Sequence, residues 1–394
     1  MIKRRAYKFR IKSSRKHREK FQQFAGAARW IANRGLEFRT KANKENGKTL
    51  TYYEQNNELV VLKEEFPWLQ DIHSQVLQQS LKNLDRAFQN FFRNIKQGKT
   101  PGYPKFKKKG IRDSFRYPQG VRVEGSQAYL PKIGWVQFRK SRELQGTIKE
   151  TTILYEGNAW YISFSCEIEI ADPVAAPIDE KRAVGIDVGL KVFATTASGK
   201  ENNLNQVENP RFLNKNLSKV KYLSKQFSKK VKKSKNSSKA RQKLSKHHAR
   251  VKNQRNDFTQ KLSTQMIKNH DIFCIETLDI SKLLIKSSKG LSRSISDAGW
   301  RSFLHCLKYK AEESGKHIVE AGKYFPSSQI CSSCWHQKEM PLELRIYECP
   351  NCGLKIDRDY NSAIVLKAVG MSVLKPVELP LIWGALKQES FAFR

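Results

Sequence analysis

The stretch CSSCWHQKEMPLELRIYECPNCGLKIDRDYNSA, residues 331–363, constrains this chain more than any other. Cys331-x-x-Cys334 is followed, after fourteen residues, by Cys349-x-x-Cys352. Each C-x-x-C knuckle turns two thiolates toward one tetrahedral ion, and four sulfurs leave Zn²⁺ no open position. The spacing therefore predicts a structural zinc ribbon, with iron as the alternative that a four-thiolate site also accepts. Asp357-Arg358-Asp359 begins five residues beyond Cys352, just ahead of an amphipathic helical pattern in NSAIVLKAVG. A metal clasp thus stands directly in front of a pair of carboxylates. The other cysteines, Cys166, Cys274 and Cys306, lie in apolar contexts and read as small core residues. Metal-type spacing and an odd total of seven fit a reducing cytoplasm better than a disulfide framework.

Charge decides what such a chain can bind. Lys and Arg number 74 against 37 acidic residues, a formal net charge of +37 over 394 residues. That excess points to a polyanion, with nucleic acid the first reading and a membrane surface or acidic protein the second. No run of 18 apolar residues exists, so nothing is expected to span a bilayer. The start, MIKRRAYKFRIK, lacks the apolar segment of a secretory signal. Between Lys215 and Arg255 stand sixteen Lys or Arg and no acidic residue. Leu213, Leu217, Val220, Leu223, Phe227 and Val231 keep helical spacing there, as do Ala240, Leu244, Val251, Phe258 and Leu262 after a break at KSKNSSK. Two helices in a hairpin follow, apolar on one face and cationic on the other, with Lys229, Lys230, Lys232 and Lys233 as candidate phosphate contacts. A merely solvated helix pair normally mixes both signs. Lys107, Lys108 and Lys109, on the irregular stretch GKTPGYPKFKKKG, are a second candidate set. His247 and His248, inside the basic hairpin, read as solvated or phosphate-facing.

Elsewhere, residues 7–12 alternate apolar and basic, as a half-buried strand does. Ser13 or Ser14 can cap a helix carrying Phe21, Phe24, Ala28 and Ile31. A second helix over about residues 72–96 places Val76, Leu77, Leu81, Leu84, Phe88, Phe91 and Phe92 on one side. Short strands fill residues 115–170, including a hairpin turning at Gly157-Asn158, and ADPVAAPIDEKR (171–182) reads as a linker. Next come a strand, a glycine bend and a second strand in AVGIDVGLKVFATTASGK, then a buried strand in DIFCIETLDI, a helix over residues 300–313 and a strand in HIVEAGKYF.

Asp187 ends the first of those buried runs, at a sheet edge, and Glu276 ends the second. Singly, each acid has a plain structural reading: Asp before Gly is a common turn, and Asp before a helix is a common cap. Together, two strands and a helix start each deliver a carboxylate in a region otherwise stripped of acidity. Three converging carboxylates repel unless cations neutralise them. Two Mg²⁺ ions roughly 3.5–4 Å apart would do so, activating a water and stabilising the leaving oxygen of a phosphodiester. No Ser-His-Asp set, P-loop or dinucleotide fingerprint competes. Residues alone thus support a metal-dependent nuclease acting on a long polyanion.

GIDVGLKVFATTASG, IETLDI and CPNCGLKIDRDYNSA resemble the three split pieces of the RuvC-like nuclease domain of TnpB proteins. These are the OrfB-type transposases of bacterial insertion sequences, related to type V CRISPR effectors. RAFQNFFRNIKQGKTPGYPKFKKKG is similar to the family's N-terminal region and RQKLSKHHARVKNQRNDFTQKLS to its basic helices. The resemblance implies an α/β, RNase H-like (RuvC) nuclease domain, residues 181–330 and 353–370, with the zinc ribbon inserted at 331–352. It implies a β-barrel-like wedge module at 1–12 and 111–172, carrying a helical recognition insertion at 13–110, and leaves a C-terminal tail at 371–394. Carried over by motif, Asp187, Glu276 and Asp359 are the catalytic carboxylates, with Asp357 a neighbour or cap. The implied activity is Mg²⁺-dependent, RNA-guided DNA cleavage in the bacterial cytoplasm, at the nucleoid, with guide RNA and target DNA as partners. Two alternatives use the same features: a DNA transposase acting without RNA, and a non-catalytic zinc-ribbon DNA-binding regulator. The sequence departs from the family at Cys334-Trp335-His336, where Gly usually follows the second cysteine, so a different turn is expected there.

Overall fold

In the computed structural model, which describes residues 1–47, 49–110, 113–341 and 343–375, the N-terminal alternation is a strand, β1 (Ile2–Arg10). Tyr7, Phe9 and Ile11 are buried while Lys8, Arg10 and Lys12 face out. The chain divides into two compact units, Met1–Ala171 and Asp172–Arg394.

In the first unit, Ser14 accepts the His17 N–H and caps α1 (Arg15–Asn46). Then come α2 (Tyr52–Glu65), a 3-10 turn (Pro67–Asp71) and α3 (Ser74–Lys96). Short strands β2 (Ser114–Tyr117), β3 (Arg122–Glu124), β4 (Gln127–Leu130) and β5 (Gly134–Gln137) precede the long hairpin of β6 (Thr147–Glu156) and β7 (Ala159–Glu169). Gly157 and Asn158 both take positive φ, 55° and 69°, the mirror-image turn whose twist suits a hairpin. Sheet order is β1-β7-β6-β2, with β3-β4-β5 a separate meander joined to it by the Ile11–Phe138 bridge. Phe9, Phe138 and Phe164 fill the space between, and α1 lays Phe21 and Phe24 onto the same core. The expected apolar face of α3 is buried through Phe88 but stops there: Phe92 is 47% exposed.

The second unit opens with β8 (Ala183–Val188), β9 (Val192–Ser198) and β10 (Asn203–Glu208), then α4 (Phe212–Lys215), α5 (Leu217–Ser228) and α6 (Lys235–Asn269). The basic pair breaks earlier than KSKNSSK suggests, because Ser234 accepts the Ser237 N–H and starts α6 inside that motif. Val231 therefore falls in the connection, 78% exposed, instead of on an apolar face. After β11 (Ile272–Glu276) come two short helices that no sequence pattern announced, α7 (Ile280–Lys286) and α8 (Lys289–Ala298), then α9 (Trp300–Glu313) and β12 (His317–Ala321). The ribbon hairpin of β13 (Ile346–Glu348) and β14 (Lys355–Asp357) leads into α10 (Arg358–Leu374). Residues 376–394, most of the expected C-terminal tail, lie outside the described residues, as do 111–112 at the expected start of the β-module.

The central sheet has order β10-β9-β8-β11-β12, antiparallel from β10 to β8 and parallel from β8 to β12. Strand alternation divides its faces. Val184, Ile186, Phe273 and Ile275 pack with Leu262 and Met266 of α6 and Phe303 and Leu307 of α9. Ala183, Ile272 and Cys274 belong to the other face, with Met371 and Leu374 of α10. The last helix is not amphipathic as expected. Residues all around it are buried, because Val365 and Val369 meet Ile330, Phe325 and Trp335 on the ribbon side.

Contact between α10 and the sheet is at backbone range. A Cβ on Gly185 would stand 2.0 Å from the Ala363 carbonyl oxygen, and one on Gly370 would stand 2.1 Å from Cys274 Sγ. Overpacking of this kind forces the backbone apart. Gly185→Ala is expected to destabilise the protein by about 2–3 kcal/mol in urea titration. Gly290→Ala, in α8 with open space around it, should leave the midpoint unchanged or slightly raised.

Candidate active site and metal centre

Strand parity places the first two acids. Asp187 follows Ile186 in β8, Glu276 follows Ile275 in the parallel neighbour β11, and Ile186 and Ile275 are register partners. Both carboxylates therefore stand abreast at the carboxyl ends of adjacent strands, on the face that α10 covers. They lie at strand ends in the middle of the sheet, with β8 the central strand, and not at its lateral edge.

The third acid comes from the start of α10. Asp357 is the cap: its carboxylate accepts the N–H groups of Asp359 at 2.9 Å and Tyr360 at 3.3 Å. Asp359 sits in the first turn, and its charge is felt at Asp187. Burial first, then Glu276, then Asp359 raise the Asp187 carboxyl well above the usual carboxylate range. Burial likewise pushes Glu276 up to about 7, against the opposing effect of hydrogen bonds from Asp187 and the Val188 N–H. Both carboxyls of the pair are thus raised, with burial the largest cause for each. Arg358, only 9% exposed, partly offsets the negative charge. Its guanidinium lies 3.4 Å from Asp359 Oδ1 and donates to the Leu344 carbonyl at 3.1 Å. Arg358 was overlooked in the sequence; the signal was its position between the two acids.

The four cysteines converge. Cys331 and Cys352 Sγ are 3.6 Å apart, Cys334 and Cys349 Sγ 3.5 Å, and all four sulfurs lie within 4.8 Å of one another. Zn–S bonds of about 2.3 Å in a tetrahedron imply sulfur separations near 3.8 Å, so the residues fit zinc. The two knuckles repeat one geometry. Trp335 N–H donates to the Cys331 carbonyl and Gly353 N–H to that of Cys349, each at 3.0 Å, with φ of +64° and +72°. The turn expected to differ at Trp335 is therefore retained, with a tryptophan held in the left-handed region.

Hydrogen bonds tie this clasp to α10. Fully buried Asn361 donates to the Ile330 carbonyl at 2.6 Å and accepts the Ser332 N–H at 2.9 Å. Ser362 Oγ meets Ser327 Oγ at 2.9 Å, and Arg358 N–H donates to the Arg345 carbonyl at 2.7 Å. Among the cationic candidates, Lys229, Lys230, Lys232 and Lys233 all lie exposed in the connection between α5 and α6. Lys107, Lys108 and Lys109 belong to the first unit, on an exposed loop that Asn33 holds at both the N–H (2.7 Å) and the carbonyl (3.0 Å) of Lys107. No helix among the described residues is long and apolar enough to cross a membrane.

The chain is similar to known proteins along nearly its whole length. Residues 163–286 match the OrfB_IS605 family, described as “Probable transposase”; residues 300–366 match a “Cas12f1-like, TNB domain” and residues 1–48 a “Helix-turn-helix domain”. InsQ of Escherichia coli (strain K12) is 34% identical over 98% of this chain and 96% of its own. A Streptomyces pristinaespiralis protein is 31% identical over 93% of this chain and 90% of its own; both are named “Putative RNA-guided DNA endonuclease”. TnpB-like protein L770 of Acanthamoeba polyphaga mimivirus is 27% identical over 62% of this chain and 47% of its own. In fold, the chain resembles the effector in a cryo-EM structure of a Cas12f1–sgRNA–target DNA complex, with TM-score 0.56, 15% identity, and 89% and 82% of the two chains covered. Near-complete sequence matches thus put it in the class of OrfB-type proteins of insertion sequences. Within that class, the chain belongs to the TnpB family.

The raised carboxyls set a pH dependence. An acid whose folded-state pKa exceeds its unfolded value stabilises the fold at low pH, and that contribution fades as pH rises through the folded pKa. Without added divalent cation, the protein should therefore lose stability from about pH 4.5 to beyond pH 7. Asp187→Asn, which cannot ionise, should melt with wild type at pH 5 and about 3–5 °C above it at pH 8. Equal melting temperatures at pH 8 would contradict the buried like-charge cluster.

Proposed function

We propose that this chain is an RNA-guided, Mg²⁺-dependent DNA endonuclease encoded by an insertion sequence. The observation that carries this reading is the convergence of Asp187, Glu276 and Asp359 on one face of the sheet, in a chain similar along its length to proteins of that name. The sheet order and the strand directions suit an RNase H-like (RuvC) domain, residues 181–330 and 353–370, with the ribbon at 331–352. The strands at 1–12 and 111–172 suit the β-barrel-like wedge module, with the helices of 13–110 as its recognition insertion.

The three acids offer only oxygen donors, as a hard divalent cation prefers, and their buried charge is incompletely offset. Asp187, Glu276 and Asp359 would hold the Mg²⁺, which when bound activates a water and stabilises the leaving oxygen of a phosphodiester. Asp187 and Glu276, both raised by burial, must be ionised to serve as ligands, so metal affinity should rise with pH through about 7, to which burial pushes Glu276. Arg358 holds the Asp359 carboxylate from one side, and the helix cap at Asp357 fixes the turn on which it sits. Zinc on Cys331, Cys334, Cys349 and Cys352 would be structural. Lys107–Lys109 and Lys229, Lys230, Lys232 and Lys233 would track phosphates of guide RNA and target DNA, in the bacterial cytoplasm at the nucleoid. The “Probable transposase” description of the matching family favours a second reading, DNA strand transfer without RNA. Sequencing nucleic acid that copurifies with the protein separates the two: a defined RNA supports guidance, and its absence supports the alternative.

Asp187→Ala and Glu276→Ala are expected to bring Mg²⁺-dependent cleavage to background while nucleic-acid affinity stays near wild type. Asp359→Ala should be equally inactive, and Asp357→Ala should only lower stability by about 1 kcal/mol, the usual cost of a lost cap. Either of the first two variants cutting at the wild-type rate would refute the assignment.

The ribbon's bonds to α10 generate a further expectation. Cys349→Ser should lose zinc and cleavage together, with all three acids intact, because the clasp fixes the start of the helix that carries Asp359. Zinc content, affinity and single-turnover rate are measured on one sample. A zinc-free protein that cuts at the normal single-turnover rate would leave the ribbon only a nucleic-acid grip.

A further inference from the structure

The C-terminal end of α3 and the loop after it join two features that rarely coexist on a free surface. Between Arg86 and Lys109 stand eight Lys or Arg and no acidic residue. Among the described residues, none of those eight has an acidic partner. In the same stretch, Phe92, Ile95, Tyr103 and Phe106 are 46–58% exposed. The aromatics are ordered. Tyr103 meets Phe88 and Phe91 edge-on at 5.6 and 5.3 Å, Phe91 meets Phe92 at 5.2 Å, and the Tyr103 hydroxyl lies 3.2 Å from Thr40 Oγ1. Asn33 pins the backbone of Lys107, one residue beyond Phe106.

Half-exposed rings among cations that lack acidic partners suit a ligand that carries both phosphates and accessible base faces. A second copy of this chain is a poor occupant, since it would bring eight like charges against eight. A paired duplex offers phosphates but hides its base faces except at its ends. We infer that the Phe92–Tyr103–Phe106 surface binds unpaired nucleotides by stacking, while Lys105 and Lys107–Lys109 hold their phosphates. This inference rests on nucleic acid being the protein's partner, but not on cleavage: a chain that binds single strands here and never cuts would sink the endonuclease reading and leave this one standing.

The test uses the full-length chain, freed of copurifying nucleic acid by high salt, and a fifteen-residue oligothymidylate carrying 5-iodouracil. Irradiation should join the probe to peptides containing Phe92, Tyr103 or Phe106. Phe92→Ala/Phe106→Ala should weaken oligothymidylate binding about tenfold or more, with the salt slope of log K unchanged and blunt-duplex affinity unchanged. Changing Lys107–Lys109 to Gln should instead flatten the slope. Phe106→Ala alone, at an exposed side chain, guards against misfolding of the double variant and should show part of the loss. Crosslinks confined to other peptides, variants that bind oligothymidylate as wild type does, or equal losses on single strand and duplex would each overturn the inference. So would self-association of wild type that the double variant abolishes.

Discussion

Repulsion among Asp187, Glu276 and Asp359 sets the terms for the second unit. Burial raises the cost of each charge, and Glu276 and Asp359 each add repulsion at Asp187. Left free, the three side chains would separate. They are held because each is mounted on something that cannot yield. Asp187 and Glu276 sit at the ends of two adjacent parallel strands whose preceding residues are fully buried. Asp359 is mounted on a helix that touches the sheet at backbone range through Gly185 and Gly370. Arg358 relieves part of what the scaffold cannot.

The two faces of the central sheet carry different duties. One face is covered by α6 and α9, with Phe193, Phe258 and Phe303 in edge-on contact around 5 Å. This packing extends α6 away from its buried C-terminal half into the cationic half, where Lys and Arg face solvent. Buried Asp297, at the end of α8, ties α4 to α6: it accepts the Leu213 and Asn214 N–H groups and pairs with Arg255 at 2.8 Å. The other face bears the carboxylates and α10. The cationic half of α6 and the three carboxylates are thus carried by elements on opposite faces of the sheet.

How much of this was legible depended on whether a residue's role is local. Period-two alternation made β1 readable, and GIDV and CIE were readable as buried runs ending in acids, because strand parity needs only neighbours in sequence. Cysteine spacing was readable for the same reason. The burial of α10 on every side was not, because its outer surface is covered by Phe325, Ile330 and Trp335, distant in sequence, and its sequence reads as a one-sided helix once that cover is unknown. Asn361 and Arg358 were missed on similar grounds. Both act through carbonyls 14–31 residues away, and nothing in composition marks such a partner. The helices α7 and α8 lack long apolar periodicity and take their starts from Asp279 and Ser288 caps.

Trp335 shows how far the tertiary setting can override a local rule. A left-handed conformation costs a non-glycine residue roughly 1–2 kcal/mol, and the equivalent position of the second knuckle is Gly353. Local preference alone would abandon the turn. Yet the first knuckle repeats every bond of the second: Cys331 N–H to the His336 carbonyl at 2.9 Å matches Cys349 N–H to that of Leu354 at 2.8 Å. The difference between the two lies in what each faces. Gly353 stands in open space, whereas Trp335 packs with Ile330, Val365 and Val369, on the helix that carries Asp359. Full burial of a large apolar side chain is worth about 1.5–3 kcal/mol, so the part of Trp335 that is buried offsets strain of this size at least in part. The side chain that breaks the turn's preference is therefore also the one that fastens the clasp to the site, and a glycine there would make a relaxed knuckle with a weaker hold on α10.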